Sequence, residues 1–475
     1  MPRRIIRSAS RKAIITDGNR RQIWLKRKFA KVVTKLPGRK AAAVVRDTSK
    51  YLSPSISRFY PLVVDSAHGS IVRDVDGNQF LDFTSGIAVL STGSTHERVV
   101  AAAKGQLEKF LHFSYTDFYY ENLVKLAEKI VERVPGDFEK MVYFGNSGTE
   151  ANEAAMKLVR NYTRRTLFLA HGGAFHGRTM GTLSLTASKP IQREGAFPLL
   201  SETVHFPFPY CYRCPWKQTF PECDYYCIDF FKEQYLEQFV PVKEVAAFVY
   251  EPIAGEGGYV MPPPEYYKRM EFLRKDGVLF VADEIQTGMG RTGKFFASEH
   301  FGVTPDVVSI AKGIASGLPL SATVAKAEIM RSWKPGQHAS TFGANPVAVE
   351  AALATLEVID SERLLENATR MGRVAMKRLL EMKERHEIIG DVRGLGLFIG
   401  VEIVKDKKTK ERGEGEAHQI IEECFHNGLL VISAGRNTLR VVPPLNITRE
   451  ELDEGLEILE EAVAKVDRLR KSRRE

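Results

Sequence analysis

Three short stretches of this 475-residue chain place chemically different groups directly after apolar runs. Gly145-Asn146-Ser147-Gly148-Thr149-Glu150 follows Met141–Phe144 and leads into a helical pattern. Free backbone N–H groups and the positive end of a helix there suit an anion such as phosphate. Asp283 follows Val278–Ala282, with Glu284, Ile285 and Gln286 next in line. A carboxylate at the end of a strand buried on both faces needs a cationic partner. Lys312 follows Val307–Ile310 between Ala311 and Gly313, small neighbours that let a flat ring approach. Each stretch alone reads as a helix N-cap or a strand-end ion pair.

Taken together they are more specific. A phosphate cradle, a carboxylate that keeps a ring nitrogen protonated and a lysine able to form a Schiff base are the three requirements of pyridoxal 5′-phosphate.

The elements that must position these groups follow from the hydrophobic pattern. From about residue 100 onward, Met141–Phe144, Leu167–Ala170, Val245–Tyr250, Val278–Ala282 and Val307–Ile310 are continuous apolar runs. Helical patterns such as Glu150–Tyr162 and Glu265–Lys275 lie between several of them. The alternation predicts an α/β architecture with a mostly parallel central sheet and helices on both faces. Ligands then sit beyond the carboxyl ends of the strands, where all three stretches fall. Ile71–Asp76 and Phe80–Phe83 flank Gly77-Asn78 as two short strands around a tight turn. Beyond Asn345-Pro346, a long helical pattern, Val392–Val404, a helix near 416–426, Leu439–Val442 and a final helix predict a smaller α+β C-terminal domain. The expected organisation is a basic arm over 1–50, a joining segment over 51–100, a large cofactor-binding domain over 101–345 and a small domain over 346–475.

Composition narrows the class further. With 44% hydrophobic and 27% charged residues the chain resembles ordinary globular proteins, and no apolar run reaches the ~18 residues of a bilayer span. Sixteen Lys and Arg against Asp17 and Asp47 make residues 1–50 carry +14, leaving −5 of the +9 total for the other 425 residues. Leu25, Phe29, Val32, Val33 and Leu36 recur at helical spacing in that arm, which predicts a basic amphipathic helix. It is expected to pack on the body or on a partner subunit. Nucleic-acid or membrane-surface contact and an organelle transit peptide are the other readings of its charge. Five cysteines are too few for a disulfide framework, so a cytoplasmic setting is expected.

Six motifs resemble one family. Ser-Gly-Thr-Glu-Ala-Asn at 147–152, Phe175-His176-Gly177-Arg178-Thr179, Glu251-Pro252-Ile253 with Gly255-Glu256, Ala282-Asp283-Glu284-Ile285-Gln286-Thr287-Gly288, Ala311-Lys312-Gly313 and Ser340-Thr341-Phe342-Gly343 stand in its order. They are similar to class III pyridoxal-phosphate-dependent aminotransferases of fold type I, which include 4-aminobutyrate and ornithine aminotransferases. The resemblance implies that Lys312 carries the cofactor and moves the proton, while Asp283 pairs with the ring nitrogen. It implies cofactor contacts from Ser147, Gly148, Thr149, Phe175, His176 and Gln286. Thr341 resembles a threonine that reaches the phosphate of a neighbouring subunit, which implies a homodimer or higher homo-oligomer with shared active sites.

The same resemblance implies a substrate class. Arg178 matches the arginine that grips a distal carboxylate, Arg440 the one that grips an α-carboxylate, and Glu256 a switch that covers Arg440 when an ω-amine donor is bound. Ile87 matches the isoleucine of 4-aminobutyrate enzymes where ornithine enzymes carry tyrosine. The expected activity is transfer of an ω-amino group from a 4-aminobutyrate, ornithine or lysine type donor to 2-oxoglutarate. An amino-acid racemase on the same scaffold is the alternative, with Glu256 as a second base, and a nucleic-acid-binding protein acting through the arm is the alternative outside enzymes. The insert Pro207–Phe230 holds Cys211, Cys214, Cys223 and Cys227 within 17 positions. Ordinary thiols, a structural zinc site and disulfides are all open there. Cys424, in a helical pattern, is expected in the core.

Overall fold

A computed structural model describes residues 27–199 and 202–472 together with the backbone of Ile14–Asp17 and Arg20–Ile23. Its largest sheet has seven strands in the order Lys140–Gly145, Ser321–Lys326, Val307–Ile310, Leu279–Asp283, Val245–Tyr250, Leu167–Gly172, Thr203–Pro207. Ser321–Lys326 runs antiparallel to both neighbours, and every other pairing is parallel. Burial on two faces explains four of the continuous apolar runs, whereas Met141–Phe144 lies in an edge strand that is only partly buried. Phe168, Ala170, Ala247 and Val249 meet the helix Gly148–Thr163, whereas Leu167, Leu169, Phe248 and Tyr250 meet Tyr266, Tyr267 and Met270 on the other side.

Two strands escape the pattern. Ser321–Lys326 alternates polar and apolar residues, and Thr203–Pro207 ends in proline, which is tolerated because this strand is an edge. The expected helix Glu265–Lys275 is helical only over Tyr266–Met270 and tightens into 3₁₀ turns over Glu271–Asp276.

Two four-stranded sheets flank this one. Ile389–Leu395, Phe398–Ile403, Thr438–Val441 and Ile432–Ala434 pair antiparallel in that order, packed by the helices Leu364–Arg385 and Glu414–His426, against which the helix Arg449–Ser472 lies. The region Val392–Val404 is thus a hairpin, closed at Gly396 with φ +55°. In the other sheet Leu429–Leu430 pairs parallel with Gln79–Asp82, followed by Ile71–Asp74 and Val64–His68. Cys424 is fully buried, as expected.

The amphipathic helix expected over Leu25–Leu36 is not formed among the described residues; Leu25 lies outside them. Its amide donors are taken by tertiary partners instead. Lys28, Phe29 and Ala30 N–H donate to the Glu454 carboxylate, Lys31 exchanges two 2.8 Å bonds with Gln79, and Val33 and Thr34 N–H donate to Asn78 Oδ1. Helix starts later, at Arg39–Tyr51, where Asp76 accepts from Lys40 and Ala41 N–H at 2.9 and 2.8 Å. A carboxylate at that position stabilises the positive helix end. Among the described residues no helix is long and apolar enough to cross a membrane.

Candidate active site

A cavity of about 430 Å³ opens at the carboxyl ends of the parallel strands. Ser147, Gly148, Thr149, Phe175, His176, Arg178, Glu256, Asp283, Gln286 and Lys312 all line it. These residues come from five connections after five different strands, so the sheet alone brings them together.

The anion cradle is built by its own helix. Ser147 is the N-cap of the 16-residue helix Gly148–Thr163, and Glu150 folds back to accept from Asn146 N–H at 3.0 Å and from the Ser147 hydroxyl at 2.9 Å. Thr149 Oγ1 lies 2.9 Å from Thr179 Oγ1 and 2.7 Å from Thr182 Oγ1. A Cβ added at Gly148 would lie 2.9 Å from Ile285, so only glycine lets the loop pass this wall.

Asp283 is buried and held at three points. Asn152 Nδ2 donates 2.8 Å and His176 Nδ1 lies 2.7 Å from its Oδ2, while Ile285 N–H donates 3.1 Å to Oδ1. Burial pulls the His176 imidazole down, but its bond to Asp283 and the nearby negative charges outweigh this and raise it. Lys312 stands at φ +49° directly after the strand Val307–Ile310. Burial lowers its ammonium despite the attraction of Asp283 and Glu256, which favours the nucleophilic free amine. His176 Nε2 and Gln286 Oε1 are buried without a partner. Orphaned polar atoms on a cavity wall, beside a phosphate cradle and a fixed carboxylate, fit a flat polar ring with a phosphate tail.

At the cavity edge Glu256 and Arg440 meet in a two-point contact, 2.7 Å from Nη1 to Oε1 and 2.8 Å from Nη2 to Oε2. Arg440 is buried, and its Nε donates 2.8 Å to Ser433 O. Burial favours the neutral form of Glu256, yet Arg440 overcomes it and holds the carboxyl below its ordinary value. Arg178 is exposed, with its guanidinium 5.9 Å from the Phe175 ring centre and no carboxylate partner among the described residues. Ile87 and Thr341 do not line the cavity. Ile87 is 44% exposed on a turn at φ +67°, and Thr341 is exposed beside Phe342.

Sequence reasoning assigned no role to two residues that the structure puts here. Asn152 orients Asp283 from one helical turn beyond the phosphate loop. Glu251 accepts from Phe175 N–H at 3.0 Å and Gly255 N–H at 2.9 Å, tying the two loops that carry Phe175 and Glu256. Burial raises its carboxyl to about 7. The signal for both lay in their polarity inside otherwise buried motifs.

Of the three readings open for Cys211, Cys214, Cys223 and Cys227, the structure shows free thiols. All four thiols are free and line one small cavity, but no three metal-ligating side chains among the described residues are disposed to hold an ion. Trp216, Phe220, Tyr225 and Tyr226 line the same space, and burial raises Cys211 to about 11 and Cys227 to about 12.

Similarity to known proteins agrees with this geometry. Residues 52–463 match the family model described as Aminotransferase class-III. A leucine/methionine racemase of Thermococcus litoralis is 43% identical over 87% of this chain and 94% of its own, and a probable 4-aminobutyrate aminotransferase of Bacillus subtilis is 37% identical over 86% and 95%. The crystal structure of a Bacillus anthracis aminotransferase superposes with a TM-score of 0.83 at 32% identity, covering 90% of this chain and 99% of that one. The chain therefore belongs to the class III aminotransferases, fold-type I enzymes whose cofactor is pyridoxal phosphate.

Proposed function

We propose that the chain transfers an ω-amino group from a 4-aminobutyrate, ornithine or lysine type donor to 2-oxoglutarate. The observation that carries this reading is the two-point Glu256–Arg440 contact at the edge of a cavity that also presents the unpaired Arg178. A donor reacting through its terminal amine brings no carboxylate to its reacting carbon, so Glu256 neutralises Arg440 during that half of the cycle. 2-Oxoglutarate brings an α-carboxylate, which takes Arg440 in place of Glu256, while Arg178 grips the distal carboxylate. Guanidinium–carboxylate pairing suits this exchange because one carboxylate replaces another at the same arginine.

Bound pyridoxal phosphate supplies the electron sink that makes proton loss from the amine-bearing carbon feasible. In this reading Ser147, Gly148 and Thr149 would hold its phosphate, Phe175 and Gln286 would contact the ring, and Asp283, oriented by His176 and Asn152, would keep the ring nitrogen protonated. Lys312 would take the proton from the amine-bearing carbon of the donor and deliver it to the carbon on the other side of the amine nitrogen. Exposed Ile87, Thr341 and Phe342 are read as surfaces met by a second copy, making the site shared in a homodimer. Five free cysteines suit a reducing cytoplasm.

A racemase reading is favoured by the relatives: the Thermococcus litoralis racemase, an isoleucine 2-epimerase of Lentilactobacillus buchneri and an alanine/serine racemase of Pyrococcus horikoshii are 43%, 39% and 41% identical, above the 37% of the Bacillus subtilis aminotransferase. There Lys312 and Glu256 would act as two bases on opposite faces of the reacting carbon. A screen of ω-amino and α-amino donors, scoring keto-acid formation and the chirality of recovered α-amino acid, separates the two. Glutamate formed from 2-oxoglutarate with ω-donors supports the transfer reading; chirality inversion without net transfer overturns it.

A further inference from the structure

Arg393 uses every one of its five N–H donors. Nε donates 2.9 Å to Tyr259 O, Nη2 donates 2.6 Å to Gly258 O and 3.3 Å to Thr438 Oγ1, and Nη1 reaches Asp391 Oδ2 at 2.8 Å and Glu402 Oε2 at 2.7 Å. Two of those acceptors are main-chain carbonyls two and three residues beyond Glu256. A third, Thr438, lies on the strand of Arg440, two residues away. One guanidinium therefore ties the loop bearing the carboxylate to the strand bearing its arginine.

Sheet register makes the tie short. Arg393 pairs with Gly400, and Gly400 pairs with Arg440 on the next strand. A Cβ at Gly400 would stand 2.8 Å from Tyr259 Cβ and 3.0 Å from Thr438 Cγ2, so the loop rests on the sheet where a side chain is missing. The Tyr259 ring stacks on Phe398 with centres 3.9 Å apart and an 8° interplanar angle. Glu402, the buried counter-ion of Arg393, also accepts from Tyr210 and Arg213, which belong to the cysteine-bearing insert. The insert thus braces the clamp from outside the cavity.

We infer that Arg393, with Glu402 as its counter-ion, is a positioning residue that holds the Glu256 loop in register with Arg440 and thereby sets preference for ω-amine over α-amine donors. This inference rests on the reading of Glu256 as a reversible cover of Arg440. Lysine cannot replace Arg393, because an ammonium has three donors and no planar fork. A loop displaced by a fraction of an ångström leaves Glu256 unable to pair at two points with Arg440 when an ω-donor is bound. The glutamate half of the cycle, with Glu256 withdrawn, is spared.

The test compares holoenzymes carrying Arg393→Lys, Glu402→Gln and Glu256→Gln, singly and as the Arg393→Lys/Glu256→Gln double variant. Arg393→Lys and Glu402→Gln are expected to keep the cofactor absorbance band. Both should lower the ratio of kcat/KM for 4-aminobutyrate to that for glutamate about tenfold, mainly through KM. A core variant remote from the clamp, Ile421→Val, controls for simple destabilisation and should keep the ratio. In the double variant the two effects should be non-additive, because both act through one contact. Equal losses for both donors, or additive losses, overturn the clamp. Should Glu256→Gln alone leave the ratio unchanged, the cover reading fails, and amide exchange then decides the clamp separately. Arg393→Lys should speed hydrogen exchange over residues 254–260, and unchanged exchange there overturns it.

Discussion

His176 and Asp283 form a buried pair, with Nδ1 of the imidazole 2.7 Å from Oδ2 of the carboxylate. The same oxygen accepts from Asn152 Nδ2 at 2.8 Å, so the plane of the carboxylate is set from two sides and cannot rotate away from the cavity without breaking both bonds. Orientation of this kind matters because a charge aimed in advance needs no rearrangement during the reaction.

Replacing His176 by phenylalanine should keep the ring and remove the donor. The cost of under-satisfying a buried carboxylate is about 1–3 kcal/mol. Turnover should fall about tenfold as Asp283 loses its fixed aim. The charge part of this stabilisation has a sign. Because the folded His176 is raised, its contribution is full below the ordinary imidazole value and fades as pH climbs through the raised one. Urea unfolding of both proteins at pH 5.5 and pH 8.5 checks this, and an equal stability gap at the two pH values would count against it.

Under the proposed function, in which Lys312 both carries the cofactor and moves the proton, Lys312→Ala should lower turnover by about 10³-fold or more. Borohydride treatment of the wild-type holoenzyme should leave cofactor-derived label on a peptide containing Lys312. Asp283→Asn should still bind cofactor yet lose most of kcat. Wild-type turnover in either variant contradicts the assignment.

Glu251 gives the site a pH dependence near neutrality. Its carboxyl is raised to about 7 by burial, whereas the unfolded chain releases the proton near 4.5. The native state therefore binds the extra proton, and this group's contribution weakens the fold as pH rises from 4.5 to 7, by on the order of 3 kcal/mol. Glu251→Gln cannot titrate, but it sets an amide N–H against one of two backbone donors and costs about 1–3 kcal/mol at every pH. The stability advantage of wild type over variant should thus shrink between pH 5 and pH 8. A constant difference in unfolding free energy would falsify the assignment.

Cys211 and Cys227 should alkylate slowly at pH 8. A thiol held near 11, as Cys211 is, carries about 10²-fold less thiolate than an unperturbed one and should label that much more slowly with iodoacetamide. The rate should climb about tenfold per pH unit. Addition of a chelator should leave it unchanged, whereas a metal-bound thiolate set would be unmasked. Mass spectrometry of peptides covering 211–227 reads both outcomes.

Chemistry-bearing residues are largely legible from residue types and their order along the chain. Ser147 to Thr149, Asp283 and Lys312 announce themselves because a buried strand can end in a polar residue only where something compensates it. Five of the seven central strands are equally plain as unbroken apolar runs, four of them because they are buried on both faces. The other two have weak patterns, a polar alternation in Ser321–Lys326 and a terminal proline in Thr203–Pro207.

Fold class, cofactor chemistry and the gathering of Ser147, Gly148, Thr149, Asp283 and Lys312 on one cavity are written in the amino-acid order, because each depends on residue types at short spacing. What depends on partners remote in the chain is settled by packing. Residues 27–36 carry a helical pattern but spend their amides on Glu454, Gln79 and Asn78, as no local propensity could foretell. The four cysteines share a short insert, but aromatic packing decides how their thiols lie. Arg393 meets the Glu256 loop because Gly400 leaves a gap between two strands, and only the register of the sheet sets that gap beside Arg440. Local patterns report on a residue's neighbours along the chain, whereas the pairing of charges and backbone donors is settled by which surfaces meet when the chain closes on itself.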